Sequence, residues 1–319
     1  MTAVRPAGTV GWDTGPVPTP VDRESNAATG PDGPLRVGVA GAGPWALLFH
    51  APMIAAHPDT ELTAVWARRL PAAEDVARPH GATAHDSFDR FLDAVDAVVF
   101  AVPPDVQVGL ATEAARAGKA LLLEKPLSLD LVGAEMLTRE VEAAGVPTQM
   151  VLTWRYVPEV RALLDAVAGS LLIGGRGHFL TGGFLGGMFA TPWRLAHGPL
   201  FDLGPHVIDL LDAALGRVTR IRAHGDPHRW IGLLLDHEGG ATSEASLTAY
   251  SPDGARAGVE IHTADGVLEV DTIGVSASAT TTLVDEFVAS VRTGRPHPPD
   301  IHRGLHLQRL LATAAGDLP

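Results

Sequence analysis

From Leu35 onward, short apolar runs alternate with amphipathic stretches, whereas the residues before it carry neither period. LRVGVAG (Leu35 to Gly41) has the length and unbroken apolar character of a buried strand. Pro44 suits the first turn of a helix reaching about His57. ELTAVW, DAVVFAV, KALLLE and PTQMVL supply four more strands, beginning at Glu61, Asp96, Lys119 and Pro147. Helices are expected over Asp105 to Ala117 and Leu129 to Ala144, the latter with Ser128 as its N-cap and Gly145 as its stop. Strands and helices taking turns in this way predict a doubly wound parallel sheet.

The later pattern differs. After a helix near Pro158 to Ala168 and the segment holding Asp202 and His206, alternating segments follow at Arg217 to Ala223, Trp230 to Asp236, Ala241 to Tyr250, Gly258 to Thr263 and Gly266 to Asp271. The last two flank Asp265-Gly266, a strong hairpin signal. Helices near Leu283 to Thr293 and His302 to Ala315 end the chain. The fold class is therefore α/β, with a Rossmann-type doubly wound parallel sheet over 35–150. An α+β domain with an open, mainly antiparallel sheet follows over 151–319, for substrate binding and oligomerisation. Residues 1–34, rich in Pro, Gly, Thr and Asp, read as a disordered tail.

Composition narrows what such a chain does. Its 319 residues are 46% hydrophobic, and 24 basic against 37 acidic side chains give a net charge of −13. That balance argues against nucleic acid or an anionic membrane as a partner. With no cysteine, disulfides, thiolate metal sites and a cysteine nucleophile are excluded. The 14 histidines form no spacing suited to a metal, and none is expected. Lacking an apolar leader or a membrane-length run, the chain reads as cytoplasmic.

The first strand runs into GAGPWA, in which Gly41, Gly43, Pro44, Trp45 and Ala46 form a glycine-rich turn opening a helix. Such a turn brings backbone N–H groups and a positive helix end to a pyrophosphate, and Ala46 stands where the fingerprint admits alanine. The second strand ends in Ala67-Arg68-Arg69, with two guanidinium groups where an NAD site usually carries an acid. Charge-assisted pairing with a 2′-phosphate makes NADP(H) the expected cofactor, with NAD(H) a possible second. Val102 and Pro103 end the third strand and Glu124 and Lys125 the fourth, on the same cofactor-binding edge.

The order AVPP, EKP (Glu124 to Pro126) and DLGPH (Asp202 to His206) resembles the glucose-fructose oxidoreductase / inositol dehydrogenase (Gfo/Idh/MocA) family. The resemblance covers Leu35 to about Leu215 and Asp285 to Leu311. It implies that Lys125, Asp202 and His206 form the catalytic set, acting on a sugar, inositol or sugar-nucleotide carbon. Arg155, Trp193 and Arg194 are further substrate-binding candidates, and Trp154, Tyr156 and His197 lie in the same two stretches. Gly204 and Pro205 suit a helix start, which places Asp202 just before the first turn and His206 inside it, near the end that favours a neutral imidazole, while a nearby Asp202 carboxylate opposes this and orients the ring. Members form dimers or tetramers through the second sheet, so a homodimer or homotetramer is expected. Two other functions fit the same motifs: a non-catalytic dinucleotide sensor or scaffold, and glycoside cleavage through transient oxidation by tightly bound NAD.

Overall fold

The computed structural model describes residues 33–252, 254–272 and 277–319; the expected tail lies outside them except for its last two residues. The described chain forms two compact units. One holds the residues up to Val151 together with Thr280–Gln308, and the other holds Leu152–Ala279 and Arg309–Pro319.

In the first unit the strands are β1 (Leu35–Ala40), β2 (Thr60–Trp66), β3 (Thr83–His85), β4 (Ala97–Phe100), β5 (Ala120–Leu123) and β6 (Thr148–Met150). They form one parallel sheet in the order β3-β2-β1-β4-β5-β6. Every residue of β4 and β5 is buried, which is why these strands read as unbroken apolar runs rather than alternating ones. The helices are α1 (Ala51–Ala56), α2 (Leu70–Ala77), α3 (Phe88–Asp93), α4 (Pro104–Arg116) and α5 (Leu131–Ala144). A π-turn, Ala46–His50, runs directly into α1.

The sequence pattern passes over α2, β3 and α3. β3 is three residues long with no apolar face, too little for any period to register. Ser128 is not the N-cap of α5: Asp130 is, its carboxylate accepting the Gly133 N–H at 2.6 Å. Ser128 is instead buried in the preceding turn, its hydroxyl accepting from the Asp130 N–H.

The sequence-based division assigns everything after 150 to the second domain, but Thr280–Gln308 closes the first unit. There Leu283 O accepts from Gln149 Nε2 at 2.9 Å, Pro299 O accepts from the Met150 N–H at 2.6 Å, and Thr148 Oγ1 accepts from the Ile301 N–H at 3.1 Å. These bonds satisfy polar groups on and beside edge strand β6, which would otherwise be buried unpaired.

In the second unit, α6 (Pro158–Val167), β7 (Leu172–Leu180), α7 (Pro192–Asp202) and α8 (Gly204–Leu215) precede β8 (Val218–Asp226), β9 (Trp230–His237), β10 (Thr242–Thr248), β11 (Arg256–Thr263) and β12 (Gly266–Asp271). The sheet order is β12-β11-β7-β10-β9-β8, with β7 and β10 parallel and the other pairs antiparallel. β11 and β12 form the expected hairpin around Asp265-Gly266.

β7, in the middle of this sheet, reads LIGGRGHFL and is absent from the sequence-based expectation. Its glycines explain both facts. A side chain on Gly177 would collide with Val207 of α8, and one on Gly175 would crowd Leu215 and Ile261. The apolar stripe that would announce a strand is thus supplied by the helix lying on it. Two long helices, α9 (Ala277–Thr293) and α10 (Ile301–Gly316), complete the chain.

Candidate active-site residues

The C-terminal ends of β1, β2, β4 and β5 share one edge of the first sheet, where the strand order reverses between β1 and β4. In doubly wound sheets this is the ligand crevice. Gly41 leaves β1 at φ +129°, and a side chain there would overlap Ala101 O and press on Val102. The turn can therefore be made only by glycine. Gly43, by contrast, has nothing within 4 Å where a side chain would start, which leaves its backbone open to a bound group. Pro44 is exposed and Ala46 fully buried, as close helix–sheet packing requires.

Arg68 and Arg69 are exposed immediately beyond β2, and among the described residues neither side chain has a hydrogen-bond or ion-pair partner. Val102 is half-buried and Pro103 exposed at the head of α4. These residues fit a dinucleotide: a glycine cradle with room for phosphate stands on the same strand edge as two exposed cations.

At the end of β5, Glu124 is buried. Its Oε1 accepts from Trp45 Nε1 and from His50 Nε2, both at 2.7 Å, and its Oε2 accepts from the Lys125 N–H at 3.1 Å. Gln107, fully buried on α4, fixes the backbone around it: Oε1 accepts from the Glu124 N–H, and Nε2 donates to Glu124 O and Leu127 O. Burial alone would push the Glu124 carboxyl up, but the His50 bond, the Lys125 charge and the Trp45 bond hold it below the ordinary carboxylate range. The chain has 2 lysines against 22 arginines. Lys119 Nζ donates to Val95 O at 2.9 Å, and Lys125 stands on this edge.

In the second unit, Asp202 ends α7 and His206 sits in the first turn of α8, both buried. The expected helix start at Gly204-Pro205 is present, and His206 N–H donates to Leu203 O. Gly198, at φ +69° with Pro227 O against it, breaks α7 ahead of Pro199 and turns the chain toward Asp202. Arg194 Nε lies 3.1 Å from Asp202 Oδ2, with its guanidinium 4.9 Å from the Trp193 ring centroid and 5.7 Å from that of Phe189. Trp154 is buried and stacks on the His206 ring, centroids 5.3 Å apart at 29°, with Phe179 6.2 Å away.

Arg155 Nε lies 2.8 Å from Oδ2 of buried Asp209. Tyr156 is buried with Arg161 over its ring, and His197 is edge-on to Phe201. Of the sequence candidates, Arg194, Trp193 and Asp202 therefore cluster, as do Trp154 and His206, while Arg155 pairs within the fold.

Sequence reasoning missed His50, Gln107 and Asp209. His50 had a readable signal, a histidine five residues after Trp45 in a helix interrupted by Pro52. Gln107 and Asp209 had none, because their partners are distant in sequence.

Among the described residues His57, Asp59 and Asp285 stand close enough to share a cation. However, His57 Nδ1 accepts from the Asp59 N–H, so Nε2 carries the proton it donates to Asp285, and Asp59 is paired with Arg292. The cluster is a structural tie rather than a ligand set.

Comparison with known proteins fits this architecture. The model of the oxidoreductase family with an NAD-binding Rossmann fold matches residues 35–151, and that of the GFO/IDH/MocA C-terminal domain matches 159–269. The dTDP-3,4-didehydro-2,6-dideoxy-alpha-D-glucose 3-reductase of Streptomyces violaceoruber is 31% identical over 200 residues, 59% of this chain and 56% of that protein. Inositol 2-dehydrogenase of Rhizobium meliloti is 30% identical over 135 residues, 42% and 40% of the two chains. This chain thus spans about half the length of the curated relatives it matches.

Among solved structures, GenD2 from gentamicin A biosynthesis in complex with NAD superimposes with a TM-score of 0.81 at 23% identity, covering 93% of this chain and 96% of that one. The WlbA dehydrogenase of Bordetella pertussis, in complex with NADH and UDP-GlcNAcA, gives 0.80 at 19%, covering 90% and 96%. These two likenesses establish the fold. With family models matched over both of its parts, the chain belongs to the GFO/IDH/MocA oxidoreductase family.

Proposed function

We propose that the protein is an NADP-dependent oxidoreductase that moves hydride between the nicotinamide and a carbinol or ketone carbon of a sugar, inositol or sugar-nucleotide. The observation that carries this reading is the β-strand edge of the first unit. There the Gly41 turn, two exposed arginines beyond β2 and the anchored Lys125 stand on one sheet edge. The names of the deoxysugar reductase and the inositol dehydrogenase among its relatives, and the UDP-GlcNAcA in the WlbA structure, support a polyhydroxylated substrate.

When bound, NADP(H) supplies or accepts the hydride. Gly41, Gly43 and the helix start after them would hold its pyrophosphate, and Arg68 and Arg69 its 2′-phosphate. Lys125 Nζ holds the reacting oxygen of the substrate and offsets its developing negative charge. A ring nitrogen of His206 takes the hydroxyl proton as the carbinol is oxidised and returns it in the reverse direction. Trp154 keeps the imidazole plane fixed, and Asp202, balanced by Arg194, orients what binds beside it. The outer face of the second sheet pairs Arg176 with Glu260 and Arg220 with Asp236 beside exposed Trp230 and Leu234. We read that face as the contact of a homodimer or homotetramer.

A panel of aldoses, inositols, deoxysugars and nucleotide sugars, followed by NADP(H) absorbance in both directions, tests the activity. NADP(H) should bind more tightly than NAD(H). Arg68→Ala should remove most of the difference, about ten- to a hundredfold in affinity, as the loss of a charge-assisted phosphate contact predicts. Equal binding of the two cofactors by the parent protein would overturn the preference.

A further inference from the structure

We propose that Trp45, His50 and Glu124 form a positioning lock for Lys125, and that the wide turn ahead of Pro52 is what allows the lock to close. The proposal deepens the reading above, since it takes Lys125 as the group that meets the substrate.

The backbone explains the geometry. Residues five apart on an α-helix point about 140° away from each other, so Trp45 and His50 could not reach one oxygen from a regular helix. Pro52 has no N–H to give to Leu48, and its ring crowds the carbonyl four residues before it. The preceding turn widens into a π-turn, with the Ala51 N–H donating to Ala46 O. A turn that closes on the fifth residue brings positions 45 and 50 to the same side. Both then donate to Glu124 Oε1 at 2.7 Å, and Trp45 is braced by stacking on Phe49 at 4.5 Å.

The carboxylate passes this constraint to Lys125. Its other oxygen accepts the Lys125 N–H, and Gln107 fixes the Glu124 peptide from the opposite side. Glu124 therefore receives three N–H donors on two oxygens. Glutamine cannot replace it, because its amide would set an NH2 against at least one of those donors. His50 serves through Nε2 alone, since its buried Nδ1 has no hydrogen-bond partner among the described residues. Glutamine reaches the same point as Nε2 and should substitute for it.

The small number of lysines provides a direct readout. Reductive methylation with 13C-formaldehyde labels Lys119, Lys125 and the chain terminus, and the Lys125 signal is assigned by its loss in Lys125→Arg. Glu124→Gln and His50→Leu should move the Lys125 resonance and leave that of Lys119 in place, whereas His50→Gln should match the parent. On a substrate turned over by the parent, Glu124→Gln and His50→Leu should lower kcat about tenfold or more. In His50→Leu NADPH affinity should stay within about threefold, and His50→Gln should stay near parental kcat.

If His50→Leu does not fold, Trp45→Phe removes one donor without stranding a polar group and must move the same resonance. The lock is overturned if the Lys125 signal stays put in all of these variants, or if His50→Gln behaves like His50→Leu. A parent protein that turns over no member of the panel would refute the oxidoreductase reading, while the resonances would still decide the lock.

Discussion

Two buried carboxylates, one in each unit, are held by different means. Glu124 is bounded by directional donors, two side-chain N–H groups and one backbone N–H. Asp202 faces a guanidinium at 3.1 Å that itself lies over two aromatic rings. The first arrangement specifies where a backbone must run. The second balances charge inside a packed wall and depends less on direction, because a guanidinium presents several donors in one plane. The first unit thus fixes a stretch of backbone at Glu124-Lys125, and the second balances a buried charge at Asp202.

The strongest test of this contrast falls on His206. Replacing it with alanine should lower turnover by about a hundredfold or more while NADPH binding, followed by fluorescence titration, and folding, followed by circular dichroism, stay intact. An unfolded variant, or one as active as the parent, would make the stack on Trp154 architectural and move the proton elsewhere.

How much of this was legible in the sequence follows the same division. The first unit announces its edge through local chemistry. Gly41, Ala46, the arginine pair and EKP each sit at a strand end recognisable from its own neighbours. The second unit offers the Asp202–His206 spacing and little else, because what surrounds it is set by packing between distant segments. Trp154 reaches His206 across 52 positions of sequence (206 − 154), and Arg155 reaches Asp209 across 54 (209 − 155). β7, which carries the sheet beneath α8, hides its strand character behind glycines whose missing side chains make room for Val207 and Leu215.

A test of intermediate size is Arg194→Ala, which leaves the Asp202 charge in its wall without its guanidinium. Loss of one partner of a fully buried pair costs about 3–5 kcal/mol, and with Arg194 and Asp202 slightly exposed roughly 1–3 kcal/mol is expected in urea unfolding. Arg194→Lys should restore only part of it, since an ammonium cannot stack on Trp193 and Phe189 in the same way. Full recovery with lysine would show that charge alone matters there.

The smallest expected effect is in the acid range. The Glu124 carboxyl is held below its ordinary value in the folded chain, so its contribution to stability is present above the carboxylate range and fades as pH falls through it. The melting temperature of the parent should therefore exceed that of Glu124→Gln most clearly near pH 7, and the gap should narrow below about pH 4. A gap that widened on acidification would mean that the buried acid is held in its neutral form.

The return of Thr280–Gln308 to the first unit also affects how the protein is made. At Val151 a ribosome has finished all six strands of the first sheet, yet the partners of Gln149 and Met150 and the Thr148-bonded end of α10 are not yet synthesised. The missing piece is complete only 157 residues later (308 − 151). At about 5–20 residues per second this is roughly 8–30 s. Through that interval β6 is an open edge, able to pair with any other strand that reaches it. The second unit is synthesised almost entirely within the same interval. Biogenesis of the molecule is therefore nested rather than sequential, and its first-made sheet is among the last parts to be finished.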